Sequence, residues 1–313
     1  MGKGVHMTSN PYQEISTLDV GGGHALYVED WGNRSAKFPI IFLHGGPGGG
    51  VKDKHKRAFN PEVNRVIFFD QRGCGRSTPY GSLEYNTTDD LVDDITRIAD
   101  KFGLERFVLH GSSWGSALAL IYALRHPERV EGLVIGGVFT GSRFEMDWID
   151  QGAFKTFRPD VWQTFLENTP VEYRDDPTKF HFDKAVNGTP EEQLASVYVY
   201  ECLESAVATL DDRFVPEPIE TFDPIPSKIE MHYLSQDCFV PDRYVLNNAA
   251  SLTMPLHIVQ GRYDMVCPPV TAYELYQKAP NARLYWTLAG HKPEHESENI
   301  FRSIFASLED GIV

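Results

Sequence analysis

Short apolar runs alternate with amphipathic segments through the first 139 residues and again after residue 248. Each run has the length and continuity of a strand that is buried on both faces of a sheet. The runs of this kind lie at residues 39–43, 65–70, 106–109, 130–138, 255–260 and 282–288. Because strands that alternate with helices form parallel sheets covered on both faces, the pattern predicts a mostly parallel α/β fold.

Helical spacing of apolar residues is clearest over residues 87–102, where a threonine can cap the start and Gly103 can end the helix. Two runs that flank three consecutive glycines, 16–20 and 24–30, predict an antiparallel hairpin at the edge of the sheet. Further helices are predicted over residues 115–125, 270–278 and 297–308.

The alternation is lost between residues 140 and 248. This stretch is rich in aromatic, acidic and proline residues, and its apolar positions follow helical rather than strand spacing. We therefore predict a helical cap over residues 140–248, inserted into an α/β core that is formed by residues 1–139 and 249–313.

The composition narrows the possible partners. Of 313 residues, 44 are acidic and 29 basic, so the formal net charge is −15, which disfavours nucleic acids and anionic membranes as partners. Four cysteines stand far apart without C-x-x-C spacing, which favours a reduced, cytoplasmic setting. The polar N-terminal residues contain no signal-peptide core, and no apolar run is long enough to span a bilayer. The oligomeric state is not indicated.

The candidate chemistry begins with a serine between a predicted strand and a predicted helix. Residues 111–115 read G-S-S-W-G, a G-x-S-x-G pattern centred on Ser113. On a sharp strand-to-helix turn, such a serine presents its hydroxyl above the sheet, and the flanking glycines leave room for the crowded backbone. The helix that follows points its N–H groups at the place where an oxyanion would form. We therefore predict that Ser113 is a nucleophile.

A serine hydroxyl needs a base within hydrogen-bonding reach and a group that orients the base. On α/β-hydrolase sheets the acid and then the histidine follow the nucleophile in the chain, each on a loop after a late strand. Asp264 follows the strand at 255–260, and His291 follows the strand at 282–288. Either residue alone is an ordinary loop residue, but their order and positions predict a triad with Ser113.

An oxyanion hole needs two backbone donors. One is predicted to be the N–H of Trp114, and the other the N–H of Gly46 in the glycine-rich loop 44–50. This loop lacks the G-K-[S/T] ending of a phosphate-binding loop and the third glycine of the dinucleotide fingerprint, so a nucleotide site is not expected.

A second pattern, H-x-x-E-H at residues 291–295, is typical of some zinc proteases. Zinc binding by this pattern needs both histidines on one face of a helix. Pro293 and the turn before His291 argue against a helix there. We therefore expect neither a metal nor an organic cofactor.

Four motifs lie at strand ends or at a helix start: H-G-G-P-G at 44–48, D-Q-R-G-C-G-R-S at 70–77, N-T-T at 86–88 and G-S-S-W-G-S at 111–116. In this combination they resemble the proline iminopeptidases, also called prolyl aminopeptidases. The resemblance extends through the loops of Asp264 and His291 and covers nearly all of the predicted core. It implies an α/β-hydrolase fold and a serine peptidase that removes an N-terminal proline.

The resemblance also implies a closed pocket under the cap for the substrate's N-terminal residue. Two cap glutamates of the family hold the amine, and Glu201 and Glu230 match them, while Phe139 matches an aromatic residue that contacts the proline ring. A buried ammonium needs opposite charge and hydrogen-bond acceptors, which two carboxylates supply. Ile149 and Leu234 stand where better-known members carry aromatics, which leaves a broader preference open.

Together these observations predict a serine exopeptidase that releases one N-terminal residue, preferably proline, from short peptides through an acyl-enzyme. The alternative is a carboxylesterase or other acyl hydrolase on the same core, which the aliphatic Ile149 and Leu234 keep open. Epoxide hydrolases and dehalogenases usually carry aspartate in place of Ser113, and a non-catalytic binding protein would not need an intact triad. Cys267 lies three residues after Asp264, so thiol reagents are expected to crowd the acid loop.

Overall fold

The computed structural model describes residues 12–210, 215–292 and 295–308, with the backbone alone for residues 150 and 151. Eight strands of this part of the chain form one sheet, in the spatial order β1-β2-β4-β3-β5-β6-β7-β8. The strands are β1 (Gln13–Gly21), β2 (His24–Gly32), β3 (Ile40–Leu43), β4 (Arg65–Phe69), β5 (Phe107–Ser113), β6 (Val130–Val138), β7 (Leu256–Gly261) and β8 (Ala282–Thr287).

The helices cover both faces of the sheet and fill the segment between β6 and β7. They are α1 (Thr88–Lys101), α2 (Trp114–Arg125), α3 (Arg143–Asp147), α4 (Phe154–Phe157), α5 (Pro159–Glu167), α6 (Pro177–Asn187), α7 (Pro190–Val207), α8 (Ile225–Leu234), α9 (Tyr244–Asn248), α10 (Pro269–Lys278) and α11 (His295–Ser307). A π-helical turn at Trp148–Ala153 joins α3 to α4, and a 3-10 helix occupies Asp53–Ala58.

The pairing confirms the predicted fold class. β1 pairs antiparallel with β2, β2 pairs antiparallel with β4, and the remaining neighbours are parallel. The central strands are buried on both faces, as their continuous apolar runs predict. Because parallel strands end at the same edge, the loops after β3, β5, β7 and β8 gather above one rim of the sheet.

Two apolar clusters hold the helices to the sheet. α1 and α2 pack on one face through residues such as Ile95 and Leu118, and α11 packs on the other face through Phe301 and Phe305. His110 stands on β5 within the second cluster, where its Nδ1–H donates to the Val134 carbonyl at 2.7 Å. Burial lowers the pKa of His110 to about 4, so the ring is neutral and packs as an aromatic.

Most predicted element boundaries hold to within two residues, but β1 begins three residues before the predicted strand and β5 continues four residues past it, to Ser113. Thr87 caps α1 by accepting from the N–H of Asp90, and Gly103 beyond its end has φ +65°. The helix after the serine begins one residue earlier than predicted, at Trp114, and the last helix begins at His295 instead of residue 297. The polar first turn of the last helix carries little apolar periodicity, which explains its late predicted start.

A buried carboxylate, that of Glu145, stabilises the turn that follows β6. Both oxygens of Glu145 accept from the backbone N–H of Thr140, and one also accepts from the Thr140 and Ser142 hydroxyls. Burial raises the pKa of Glu145, and these bonds partly offset the rise.

We refer to α3–α9 as the cap helices. No helix in the described ranges is long and apolar enough to cross a membrane.

Candidate active site

Ser113 occupies a strained turn between β5 and α2. Its φ is +56°, a value that is unfavourable for residues other than glycine and is typical of positions held for function. The turn is possible because its neighbours are glycines: a Cβ at Gly111 would lie 2.5 Å from the Gly115 carbonyl carbon, and a Cβ at Gly115 would lie 2.1 Å from the Leu43 oxygen. β3, β5 and α2 therefore meet too closely for any side chain at these two positions.

Asp264 and His291 meet at the same rim. His291 Nδ1 lies 3.0 Å and 3.1 Å from the two carboxylate oxygens of Asp264. One of these oxygens also accepts from the backbone N–H groups of Val266 and Cys267, at 3.0 Å and 2.8 Å. The carboxylate is buried and held by its own loop, so it fixes the orientation of the imidazole and places the Nδ1 proton on its own side.

The thiol of Cys267 lies between Ser113 and the Asp264–His291 pair. The Cys267 sulfur lies within 4.8 Å of ligand atoms of both Asp264 and His291, and the Ser113 hydroxyl contacts the same thiol. The hydrogen bonds of the described residues join His291 to Asp264 and not to Ser113. Hydroxyl–imidazole bonds in hydrolases are often long until substrate binds. The three predicted triad residues are thus brought into one cluster.

Burial lowers the pKa of His291, but the charge and hydrogen bond of Asp264, with a contribution from Glu204, more than offset it, and the net pKa lies above its ordinary value of 6.5. An imidazole whose protonated form is stabilised in this way accepts a proton readily. This is the property that a general base for a serine hydroxyl requires.

The predicted oxyanion loop is tied to the helix after the serine. The Gln71 side chain accepts from the indole N–H of Trp114 at 3.0 Å and donates to the His44 carbonyl at 2.9 Å, while the Gln71 N–H donates to His44 Nε2. Burial lowers the pKa of His44, so its neutral ring can accept there. Gly46 has φ +114°, and a Cβ on it would lie 2.6 Å from the Gly48 nitrogen. The Gln71 side chain therefore links His44, two residues before Gly46, to the Trp114 indole.

Three carboxyl groups of the cap helices form a cluster beside the triad, with Glu230 buried and Glu201 and Glu204 partly buried. Glu230 on α8 is hydrogen-bonded to Glu204 on α7, and Glu201 lies close enough to act on both charges. Burial raises the pKa of Glu204 to about 7, with the Glu201 charge adding to the rise and the His291 and Lys292 charges opposing it. Burial, with the charges of Glu204 and Glu201, raises the pKa of Glu230 further. Each of the two carboxyl groups is therefore protonated more readily than a free carboxyl group.

Sequence reasoning selected Glu201 and Glu230 and missed Glu204. The oxygens of Glu201 accept from the hydroxyls of Ser205 and Ser227, at 2.7 Å and 2.6 Å. Glu204, three residues later, shares a helical face with Glu201 and is the group bonded to Glu230. The three-residue spacing was a signal that could have found it, because residues three apart on a helix are neighbours.

The residues expected to line an apolar pocket are buried. Phe139 follows β6 directly, and its N–H donates to the Ser116 hydroxyl at 2.9 Å, which places it beside the start of α2. Ile149 and Leu234, on the cap helices, are 6% and 9% exposed. A separate cavity of about 550 Å³ runs along the loop 46–52 and reaches Glu201 and Glu230.

The zinc-protease pattern is split between a loop and a helix. His291 lies in the loop after β8, His295 is the first residue of α11, and Pro293 and Glu294 lie outside the described residues. The donors that come close together are instead Asp264, Cys267 and His291. This donor set suits a soft metal ion. Two of its members, however, already bond each other as an imidazole–carboxylate pair.

The chain was also compared with known proteins. Residues 39–292 match the model of the α/β-hydrolase fold family. The chain is 36% identical over 282 residues to a probable proline iminopeptidase of Leptolyngbya boryana, covering 88% of this chain and 86% of that protein. It is 38% identical over 296 residues to the proline iminopeptidase of Xanthomonas citri, covering 93% and 94%.

Among solved structures, the proline iminopeptidase of Mycobacterium smegmatis superposes with a TM-score of 0.62 at 21% identity, covering 95% of this chain and 98% of that one. At this identity the superposition supports the fold alone. The family match over most of the chain and the two relatives above 30% identity establish more than the fold. The chain belongs to the α/β-hydrolase fold family and, within it, to the proline iminopeptidases.

Proposed function

We propose that this protein is a serine exopeptidase that releases a single N-terminal residue, preferably proline, from short peptides with a free N-terminus. The observation that carries the proposal is the Glu204–Glu230 carboxyl pair, with Glu230 buried and Glu204 partly buried, beside the Ser113, His291 and Asp264 cluster. A hydrolase without amine recognition has no use for carboxyl groups buried next to its nucleophile, since burying them costs free energy.

In the proposed reaction, Ser113 Oγ attacks the carbonyl carbon of the first residue while His291 Nε2 takes the hydroxyl proton. Asp264 holds the imidazole and stabilises its charged form. The N–H groups of Trp114 and Gly46 stabilise the tetrahedral oxyanion. His291 then protonates the leaving amine as the C–N bond breaks. Water, activated by the same imidazole, cleaves the resulting ester and restores the serine.

We further propose that the glutamates of the cap helices hold the substrate's ammonium group, and that Phe139, Ile149 and Leu234 contact its side chain. Glu230, deprotonated when the ammonium arrives, would supply the charge that balances it. The cap, with the boundaries 140–248, would exclude long chains and folded proteins. A reduced, cytoplasmic setting agrees with the four free cysteines. The proposal requires neither a metal nor an organic cofactor.

The test compares wild type and Ser113→Ala on prolyl-4-nitroanilide, other aminoacyl anilides and a short acyl ester. We expect wild type to prefer the prolyl anilide and the variant to lose at least about 10³-fold in kcat, as triad variants do. Turnover by Ser113→Ala at the wild-type rate would refute the assignment of the nucleophile.

An acyl hydrolase is the second candidate, because Ile149 and Leu234 are aliphatic at positions where better-known proline iminopeptidases carry aromatic residues. The same panel separates the two functions. A wild-type enzyme that cleaves the acyl ester faster than every aminoacyl anilide at matched concentration would favour the esterase and remove the peptidase proposal.

A further inference from the structure

Three lysines from two distant segments of the chain come together near His291. Lys52 ends the loop that contains Gly46 and lines its cavity, Lys54 is in the 3-10 helix that follows, and Lys292 comes directly after His291. The chain carries a net charge of −15, so a group of exposed cations is unusual on its surface. Like charges held together without a partner destabilise a fold, which makes a ligand for them worth seeking.

The fold brings these lysines together from distant parts of the chain. The 3-10 helix Asp53–Ala58 packs against α11, and the guanidinium of Arg302 on α11 donates to the Arg57 carbonyl at 2.9 Å. The loop of Lys292 leads into α11, and the Lys292 N–H donates to the Ala208 carbonyl at the end of α7, also at 2.9 Å. The packing of the 3-10 helix on α11 and the bond from Lys292 to the end of α7 therefore hold the lysines near His291.

The three side chains are close enough for their charges to act on one another. Partial burial lowers the pKa of Lys54, and the charges of Lys52 and Lys292 lower it further. The Lys292 charge also acts on His291 and on Glu204, so it reaches the interior of the site.

The nearby carboxylates have other partners or lie across the cavity. Glu298 acts on Lys54, Asp53 pairs with Lys56 at 3.5 Å, and Glu201 and Glu230 line the cavity that Lys52 also lines. Within the described ranges, the ion pairs do not include the three clustered lysines. Burial and the lysine charges lower the pKa of the adjacent His55 to about 3, so its ring adds no charge.

We propose that Lys52, Lys54 and Lys292 bind the C-terminal carboxylate of the leaving peptide and make the enzyme selective for very short substrates. The inference rests on the proposed peptidase function and adds a determinant on the leaving-group side. His291 must protonate the leaving nitrogen, so the rest of the peptide departs past His291 and toward these lysines. The amine end of the substrate would meet carboxylates, and the carboxyl end would meet ammonium groups.

The geometry limits the length of peptide that benefits. An extended chain advances by about 3.5 Å per residue. The carboxylate of a dipeptide or tripeptide therefore lies within one lysine side chain of the scissile bond, whereas that of a hexapeptide lies beyond it. The lysines could bind either the C-terminal carboxylate or the carboxylate of an acidic side chain, and the experiment distinguishes the two.

The experiment measures kcat/KM for matched peptides on the full chain. Pro-Gly-Gly is compared with its C-terminal amide, and a proline followed by five glycines is compared with its own amide. Pro-Glu-amide and Pro-Gln-amide test an acidic side chain. We expect the free acid to be favoured about fivefold in the tripeptide, since exposed ion pairs are individually weak, and the preference to disappear in the longer peptide.

The double variant Lys54→Gln/Lys292→Gln should lose this preference, so that kcat/KM for the acid and for its amide become equal; any effect of the Lys292 charge on His291 is common to both substrates and cancels in their ratio. Lys155→Gln, an exposed lysine on α4, is the control and should keep the preference. Added salt of about 0.5 M should weaken the preference in wild type, because screening shortens the range of exposed charges.

The outcomes distinguish this inference from the function on which it rests. Wild type that cleaves prolyl-4-nitroanilide but treats the tripeptide acid and amide alike overturns the lysine proposal only. The same holds if the double variant slows acid and amide equally. Wild type could instead prefer Pro-Glu-amide over Pro-Gln-amide and show no preference for the free acid of the tripeptide. The lysines would then bind an acidic side chain and not the C-terminal carboxylate, which overturns the proposal. Wild type that cleaves no prolyl substrate removes both proposals.

Discussion

His291 carries opposing influences in a single ring. Burial lowers its pKa, while Asp264 raises it through charge and a hydrogen bond, and the net value lies above 6.5. A general base must be unprotonated to act, so activity is expected to rise with pH through this raised pKa. Removing the Asp264 charge removes the largest upward influence on the pKa of His291, so the lowering by burial is less opposed.

Asp264→Asn is therefore expected to lower kcat by about 10⁴-fold, since the imidazole loses its orientation and its charge partner. The residual activity should rise with pH at a lower midpoint than that of wild type. The measurement is kcat/KM for prolyl-4-nitroanilide from pH 5 to 9. Asp160→Asn, a fully exposed change on α5, serves as the control. An unshifted acid limb in Asp264→Asn would contradict the assigned pair.

The buried glutamates supply a second prediction at this scale. Glu204 and Glu230 are bonded to each other, and Glu201 is bonded to two serines. Replacing Glu230 by Gln keeps the size and a hydrogen-bond donor but removes the charge that an ammonium needs. Substitution of these glutamates by glutamine therefore tests whether they bind the substrate's amine or only pack in the fold.

Glu204→Gln and Glu230→Gln are each expected to raise KM for aminoacyl anilides at least about tenfold, as expected when one partner of a buried charge pair is removed. KM for an acyl ester without an amine should change less than about twofold. Glu201→Gln should have a smaller effect on the anilides than either. Equal changes on anilide and ester would show that these residues serve the fold and not the amine.

At the scale of elements, the contact of β3, β5 and α2 decides where the nucleophile stands. The backbones approach so closely that a Cβ on Gly115 would overlap the Leu43 carbonyl. Gly103, after α1, differs: its φ is +65°, but nothing lies within 4 Å of a Cβ placed there. Gly115 is required because a side chain would overlap the Leu43 backbone, whereas Gly103 is favoured only because its φ is positive.

Gly115→Ala is expected to lower the free energy of unfolding by about 3 kcal/mol, the upper range for overpacking, and to lower activity. Gly103→Ala should cost about 1 kcal/mol, the penalty of a left-handed conformation, and leave activity unchanged. Urea unfolding and anilide turnover measure both. Equal destabilisation by the two changes would contradict the close approach of β3 and α2.

Across the whole molecule, the cap helices are fastened to the core by buried side chains. The Tyr233 hydroxyl on α8 donates to the Asn86 side chain at 2.8 Å, and the Tyr233 ring packs on Trp114 with 4.9 Å between centroids. The Trp148 indole donates to the Met265 carbonyl of the acid loop at 3.0 Å. Because α8 also carries Glu230, the docking of the cap sets the distance between the carboxylates and the nucleophile.

Tyr233→Phe is expected to cost about 1–3 kcal/mol of unfolding free energy, because the Asn86 oxygen loses its donor in a buried place. It should also raise KM for prolyl anilides. Tyr198→Phe is the matched control, since that hydroxyl donates to the Glu217 carbonyl between two segments of the cap. Chemical denaturation and steady-state kinetics provide the readouts. A Tyr233→Phe protein as stable as Tyr198→Phe would show that this contact does not fasten the cap.

Local patterns predicted much of this molecule correctly. Apolar runs located the strands, and Thr87 and Gly103 marked the ends of α1, because these signals depend only on neighbouring residues. The G-x-S-x-G turn and the order of Ser113, Asp264 and His291 were likewise readable, since loops after parallel strands must gather at one rim. The α/β-hydrolase fold and the family followed from the same features and are confirmed.

Other features were decided only by the tertiary structure. Glu201 and Glu204 are equivalent in sequence, and only the placement of α8 against α7 gives Glu204 its bond to Glu230. The lysines near His291 come from segments more than 200 residues apart and form a group only because α11 packs on the helix after the Gly46 loop. A charge or a pKa depends on which distant groups surround a side chain and exclude water, and neighbouring residues in the chain do not contain that information.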